Sequence, residues 1–238
     1  MTEANDRVVL LSGATRGIGR ATAARLYADG YRLSLGVRDA SRVASDLRAD
    51  TERVQVVDYD AGNSGESAKA WVAAAITHFG RIDALVNNAG IVNRGGFLGS
   101  SEAQLDEVLT VNVKGPFLLT QESWPHLLKN GGGKVVNLVS LGGLRVKVAN
   151  SCVYAMSKHA VMAMTHSLRM LGWDDGIRVT AICPGPVDTD MMVGAANMAP
   201  DGMTQPEVIA GLISQILVLP RSASIPFIPI NAIAEQLY

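Results

Sequence analysis

Cysteine is scarce in this chain. Its 238 residues include two, Cys152 and Cys183, too few for a disulfide-stapled secreted scaffold or a cysteine-rich zinc site. The histidines His78, His126, His159 and His166 show no metal-ligand spacing, so no metal is expected. Charge of neither sign dominates: 21 basic side chains stand against 22 acidic ones, a net charge of −1. That balance excludes a strongly basic nucleic-acid binder and a polyanionic tail. Aromatic residues make up 5% of the chain, and Trp71, Trp124 and Trp173 fall in separate helical segments, leaving no platform for stacked bases. The near-apolar run from Val208 to Leu219 is shorter than the ~20 residues a bilayer span needs. The opening Met-Thr-Glu-Ala-Asn-Asp has neither a basic n-region nor an apolar h-region. The expectation is a soluble cytoplasmic protein with no nucleic-acid or membrane partner.

What is present is a pattern. Hydrophobic residues are 48% and charged residues 18%, enough for one well-filled core. Short β-branched runs at Val8–Leu11, Leu33–Val37, Val54–Val57, Ala84–Val86, Lys134–Val139 and Arg178–Ile182 read as strands. Most lack polar alternation, as strands buried on both faces do. Helical spacing fills the gaps at Gly19–Asp29, Ser41–Ala49, Glu66–Phe79, Ser101–Lys129 and Val153–Gly172. Repeated βαβ units imply an α/β fold: a single doubly wound parallel sheet of Rossmann type with helices on both faces. Gly115-Pro116 should bend the long fifth helix or leave a wide turn there. Gly131-Gly132-Gly133 precedes a strand and reads as a surface turn.

After the first strand comes Ser12-Gly13-Ala14-Thr15-Arg16-Gly17-Ile18-Gly19. Three glycines at a strand-to-helix turn allow positive φ and let a pyrophosphate approach backbone N–H groups at a helix N-terminus. An acidic residue closing the second strand would favour NAD(H). Val37 stands there instead, followed by Arg38, while Arg16 lies in the glycine turn. Two guanidinium forks suit a ribose 2′-phosphate, so NADP(H) is the preferred cofactor and NAD(H) the alternative. Asp39 could cap the segment from Ser41 or pair with Arg42.

Tyr154 and Lys158 lie four apart on one helix face. An ammonium about 4 Å from a phenol lowers its pKa by roughly three units, toward neutrality. With Asn87-Asn88-Ala89-Gly90 after the fourth strand, Asn112 in Val-Asn-Val, Ser140 after the fifth strand and Pro184-Gly185 after the sixth, the chain resembles the short-chain dehydrogenase/reductase family, including bacterial 3-oxoacyl-thioester reductases.

The resemblance implies roles. Tyr154 is the general acid/base, Ser140 holds the substrate oxygen, Lys158 lowers the tyrosine pKa and binds the nicotinamide ribose, and Asn112 holds a proton-relaying water. Gly13, Ala14, Thr15, Arg16, Gly17, Ile18 and Gly19, with Arg38, take the pyrophosphate and adenosine. Asp60 and Ala61 bracket the adenine; Asn87, Ala89 and Gly90 shape the floor. Pro184, Gly185, Val187 and Thr189 meet the nicotinamide end. The implied activity is NADP(H)-dependent interconversion of a ketone and a secondary alcohol. A non-turnover nucleotide sensor and an NAD(H)-preferring alcohol dehydrogenase are the alternatives.

The resemblance also implies a homodimer or homotetramer, and a lid at about 186–206 bearing Met191, Met192, Met198 and Met203. Ser12 replaces a frequent threonine and keeps the hydroxyl. The stretch between Ser140 and Tyr154 implies a slightly enlarged loop over the substrate, where Arg145 and Lys147 read as solvated charges before contacts to an acidic substrate. The tail, about 222–238, lacks the usual final strand; Pro226 and Pro229 demote Ile225–Ile230 to an edge strand or extended arm.

Overall fold

The computed structural model of the chain describes residues 6–193 and 199–234. Its continuous apolar runs become β1 (Val8–Ser12), β2 (Arg32–Val37), β3 (Val54–Asp58), β4 (Ala84–Asn87), β5 (Lys134–Leu138) and β6 (Arg178–Pro184), joined by a seventh strand, β7 (Phe227–Ile230). All pair in parallel, in the order β3-β2-β1-β4-β5-β6-β7. Every residue of β1 is buried, which explains why that run carries no polar alternation. The edge strand β7 alternates exposed and half-buried residues instead. Its ladder uses the carbonyls of Pro226 and Ile230, which accept from Ala181 N at 3.1 Å and Gly185 N at 2.8 Å. Prolines are tolerated there because an outer edge needs no donor.

One sheet face is covered by α1 (Gly17–Ala28), α2 (Ser45–Ala49) and α8 (Pro206–Val218), whose Leu26, Leu47 and Ile213 share a cluster with Leu11 and Leu35. The opposite face carries α3 (Ser64–Phe79), α6 (Gly115–Lys129) and α7 (Cys152–Leu171); Trp71, Leu119 and Ile177 fill that side. Both faces are therefore occupied, the doubly wound arrangement expected of buried parallel strands. Among the described residues no helix is long and apolar enough to cross a membrane.

Two helical expectations change. Ser41–Ala49 is not one helix: a 3₁₀ turn at Ala40–Arg42 precedes α2, and Val43 between them is extended (φ −72°, ψ 142°) so that its side chain enters the core. Ser101–Lys129 divides into α5 (Glu102–Leu109), opened by a Ser101–Gln104 capping box, a π-helical turn over Thr110–Lys114, and α6. The wide turn thus lies just ahead of Gly115-Pro116, with Gly115 N donating to Thr110 O. A short α4 (Gly96–Gly99) has no counterpart in the sequence pattern.

Gly36 in β2 sits under Trp71: a Cβ there would stand 2.5 Å from the ring. The indole Nε1 in turn donates to Ser34 Oγ at 2.8 Å, and Gly36 O receives Gly13 N at 2.9 Å. Gly36→Ala is expected to lower stability by about 1–3 kcal/mol through overpacking, measured as a reduced urea midpoint at unchanged slope.

Candidate active site

Parallel strands deliver their loops to one edge. The segments leaving β1, β2, β4, β5 and β6 there enclose a cleft of about 870 Å³. It opens beside the switch point between β1 and β4, where a doubly wound sheet reverses its direction of winding.

The glycine turn forms one end. Gly13 (φ +75°) and Gly17 (φ +50°) adopt left-handed backbone. Gly19 is needed for space: a Cβ would lie 2.0 Å from Gly13 O and 2.5 Å from Asn88 Nδ2. Arg16 is the N-cap of α1 and supplies no side-chain acceptor to the first turn, so those N–H groups suit an anion in the cleft. Ser12 locks the turn in place. Its Oγ accepts from Asn88 N and Ala89 N, each at 3.0 Å, while Asn88 Nδ2 donates to Ser12 O at 2.9 Å.

Arg16, Arg38 and Arg42 all line this end. Asp39 is engaged elsewhere: its carboxylate accepts from Ser41 N at 3.0 Å and Ser41 Oγ at 2.6 Å. Those bonds hold its carboxyl below the usual range, with Arg42 a lesser influence. Capping, not pairing with Arg42, is its dominant role. Arg16 Nη1 reaches Asp190 Oδ2 at 3.5 Å across the cleft.

The other end holds the three side chains with acid/base chemistry. Ser140 follows β5, and Tyr154 and Lys158 project from α7 onto the same wall. Ser140 Oγ accepts from Gly142 N at 3.0 Å, makes only a long bond to Pro184 O at 3.4 Å, and is hydrogen-bonded to the Tyr154 hydroxyl. Lys158 Nζ donates to Leu138 O at 2.7 Å and lies 5.6 Å from the centre of the Tyr154 ring.

The expected electrostatics need correcting here. Desolvation raises the Tyr154 phenol above its ordinary value, and the Ser140 hydrogen bond opposes that rise. Lys158 does not pull it to neutrality, because its ammonium is committed to the Leu138 carbonyl and faces the ring. Burial instead lowers Lys158 to about 8. The Cys183 thiol nearby is pushed up to about 12 by burial, the behaviour of a small packed hydrophobe.

The cleft wall includes Gly13, Thr15, Arg16, Gly17, Ile18, Gly19, Arg38, Asp60, Ala61, Ala89, Gly90, Ser140, Tyr154, Lys158, Pro184, Gly185, Val187 and Thr189. Ala14, Asn87 and Asn112 stand behind it. Asn87 Nδ2 bridges Thr120 Oγ1 (3.0 Å) and Asn137 Oδ1 (2.8 Å). Asn112 Nδ2 donates to Ile91 O at 2.9 Å and Ser157 Oγ at 3.0 Å, while its Oδ1 accepts from Ile91 N at 2.8 Å. Both side-chain donors of Asn112 are thereby used.

Sequence reading passed over three residues. Asn88 lies inside the Asn-Asn-Ala-Gly stretch, Arg42 reads in the sequence only as a partner for Asp39, and Arg94 carries no motif at all. Met191 and Met192 reach the cleft wall and Met203 does not. Thr204 pins the two ends of the 186–206 segment together, donating to Pro186 O at 3.1 Å and accepting from Asp188 N at 3.0 Å. Gly194 and Met198 lie outside the described residues. Among the described residues no group of three or more metal-ligating side chains is assembled.

Comparison with known proteins is consistent along the chain. The family model described as short chain dehydrogenase matches residues 7–199. An agropine synthesis reductase of Rhizobium rhizogenes is 36% identical over 97% of this chain. The chain spans only 54% of that relative's length, and 53% of a second reductase of the same name. An alcohol dehydrogenase from Thermococcus sibiricus, solved with 5-hydroxy-NADP, superposes with a TM-score of 0.86 at 26% identity, covering 97% of this chain and 98% of the other. A metagenomic blue fluorescent protein in complex with NADPH gives 0.87 at 26% identity, with coverage of 97% and 98%.

Gly19→Ala drives a methyl group into the carbonyl that shapes the turn. Dinucleotide binding, followed by fluorescence of the reduced cofactor, is expected to be lost, while circular dichroism retains the α/β signature.

Proposed function

The chain belongs to the short chain dehydrogenase family, and from that premise we propose that it is an NADP(H)-dependent oxidoreductase interconverting a ketone and a secondary alcohol. The observation that carries this reading is one cleft holding the glycine turn with its three arginines at one end and Ser140, Tyr154 and Lys158 at the other. The dinucleotides in the two related structures named above add support for NADP(H).

The residues present fit such a cofactor. The uncapped start of α1 and the left-handed Gly13 and Gly17 suit its pyrophosphate. Arg16 and Arg38, with Arg42, would hold the ribose 2′-phosphate. When bound, the cofactor supplies or accepts the hydride.

The remaining work is done by this chain. Ser140 exchanges its long bond to Pro184 for one to the substrate oxygen, which fixes the carbonyl and stabilises its developing charge. Tyr154 donates the phenolic proton to that oxygen in reduction and receives it in oxidation. Lys158, as an ammonium, would hold a ribose hydroxyl of the cofactor. The Asn112 side chain is spent on Ile91 and Ser157, so the water that returns protons to the site would be held by its main-chain carbonyl.

The chain acts as one domain, with 186–206 as a lid over the substrate and 222–238 as a tail whose residues 235–238 lie outside the described set. A homodimer or homotetramer in the cytoplasm would cover Phe117 on α6 and Met156, Met170 and Leu171 on α7, all exposed.

Tyr154→Phe is expected to cut NADPH-dependent ketone reduction by about 10²–10⁴-fold while NADPH still binds; full activity in this variant would refute the acid role. Arg38→Glu is expected to weaken NADPH binding about tenfold or more with little change for NADH.

The pH dependence follows from the two shifts. Burial keeps the phenol protonated at neutral pH, the form reduction requires, so alcohol oxidation should rise with pH. Lys158 is charged below about 8 and neutral above it, so reduction should decline as pH passes that value. Initial rates in both directions between pH 6 and 10 check the two slopes.

A further inference from the structure

Gly142 leaves room beside the acid/base groups. A Cβ there would stand 3.7 Å from Tyr154 Cε1 and 3.5 Å from Ser140 Oγ, in ordinary contact with both. The glycine itself lines the cleft. Six apolar side chains from three loops share the cleft wall with it. Ile91 and Val92 follow β4, Leu141 and Val148 lie between β5 and α7, and Met191 and Met192 follow β6. Contacts hold these loops together. Gly96, in left-handed backbone, packs against Asn150, where a Cβ would stand 3.2 Å from Asn150 Cα. Leu141 packs against Gly185, where a Cβ would stand 3.0 Å from Leu141 Cδ1.

Polar groups also reach this wall, and the protein uses them to join its loops. Arg94 donates to the Met191 carbonyl, a bond from the β4 loop to the lid. Arg145 Nη1 donates to Leu141 O at 3.3 Å, and Ser151 Oγ donates to Val148 O at 2.8 Å. Arg145 and Lys147 are each engaged within the protein. Glu107 and Asn150 complete the wall, and both are exposed. The apolar members are less well covered than their chemistry favours. Val148 is 53% exposed, Met191 and Met192 are half-buried, and Phe97 and Val193 on the same loops are exposed as well. Apolar side chains left in water along a cleft are the surface that an apolar ligand covers.

Resting on the oxidoreductase reading, we infer that the substrate is a ketone carrying an uncharged apolar chain. Its carbonyl sits at Ser140 and Tyr154. The chain passes the bare backbone of Gly142 and lies along Leu141, Val148, Met191 and Met192. The two methionines have three rotatable bonds each, so they settle around chains of differing shape. Each methylene removed from water on this wall should strengthen binding by up to about fourfold. Val148 and Met192 thereby become specificity residues.

The test uses the methyl ketones from 2-butanone to 2-decanone. Turnover is followed by NADPH oxidation, and binding to the NADP⁺-loaded protein by calorimetry. Affinity and kcat/KM should rise about two- to fourfold per methylene over several consecutive members. The acid 9-oxodecanoate, which ends a chain of the same length in a carboxylate, should lose most of that gain. Val148→Asn and Met192→Gln should each flatten the rise. The rise is a comparison within each variant, so partial loss of folded protein does not mimic the effect. No rise along the series, an acid that binds as well as 2-decanone, or a rise undiminished in both variants would overturn the inference. Ketones that bind more tightly with length yet are never reduced would leave the apolar wall standing and refute the oxidoreductase reading instead.

Discussion

The cleft depends on a run of hydrogen bonds that stitches together the carboxyl ends of β1 and β4. Ser12 Oγ receives two backbone N–H groups of the Asn-Asn-Ala-Gly turn, and Asn88 returns its amide to Ser12 O. The path continues through Ile91, held by the Asn112 side chain, to Ser157, and Ser157 Oγ donates to Tyr154 O at 2.7 Å. These partners are buried or half-buried, so each unmade bond would leave a partly desolvated polar group at a cost of up to about 1–3 kcal/mol. Position of the glycine turn and position of Tyr154 are therefore set by one connected network rather than by two independent loops.

The sheet supplies the rigid side of this arrangement. Two-faced burial forces its strands to be apolar without interruption, and their parallel pairing brings every functional loop to the same edge. The π turn at Thr110–Lys114 has a positional role as well. It places Asn112 where its side chain can clamp Ile91. Local departures from regular helix thus occur where the site needs a polar group turned inward.

The fold was legible because burial leaves a one-dimensional signature. The strands fall within a residue or two of their apolar runs, and the edge character of β7 follows from Pro226 and Pro229. The glycine turn was legible because backbone conformation and close approach restrict the residue type. What depends on distance between loops was not. The segment after Arg94 is brought against the loop carrying Arg145 and Lys147 where Gly96 packs against Asn150, and no pattern in the chain encodes that approach. The Tyr154 electrostatics were misread for a related reason. Four-residue spacing puts Lys158 on the same helix face, yet it cannot show that Nζ turns to Leu138 O or that both groups lose water. Asn87 and Asn112 carry the right residue types for a site, and their side chains are spent on joining elements behind its wall.

The account stands on the claim that the two ends of one cleft act on the same reaction, with hydride passing directly from the dinucleotide to a carbonyl held at Ser140 and Tyr154. Incubating the protein with NADPH carrying deuterium at the nicotinamide C4, one stereoisomer at a time, and ketones differing in charge tests this most directly. Transfer of one deuterium to the carbinol carbon from a single stereoisomer, detected by mass spectrometry and NMR, is the predicted result. Binding of NADPH with no label in any alcohol, or label from both stereoisomers alike, would contradict it.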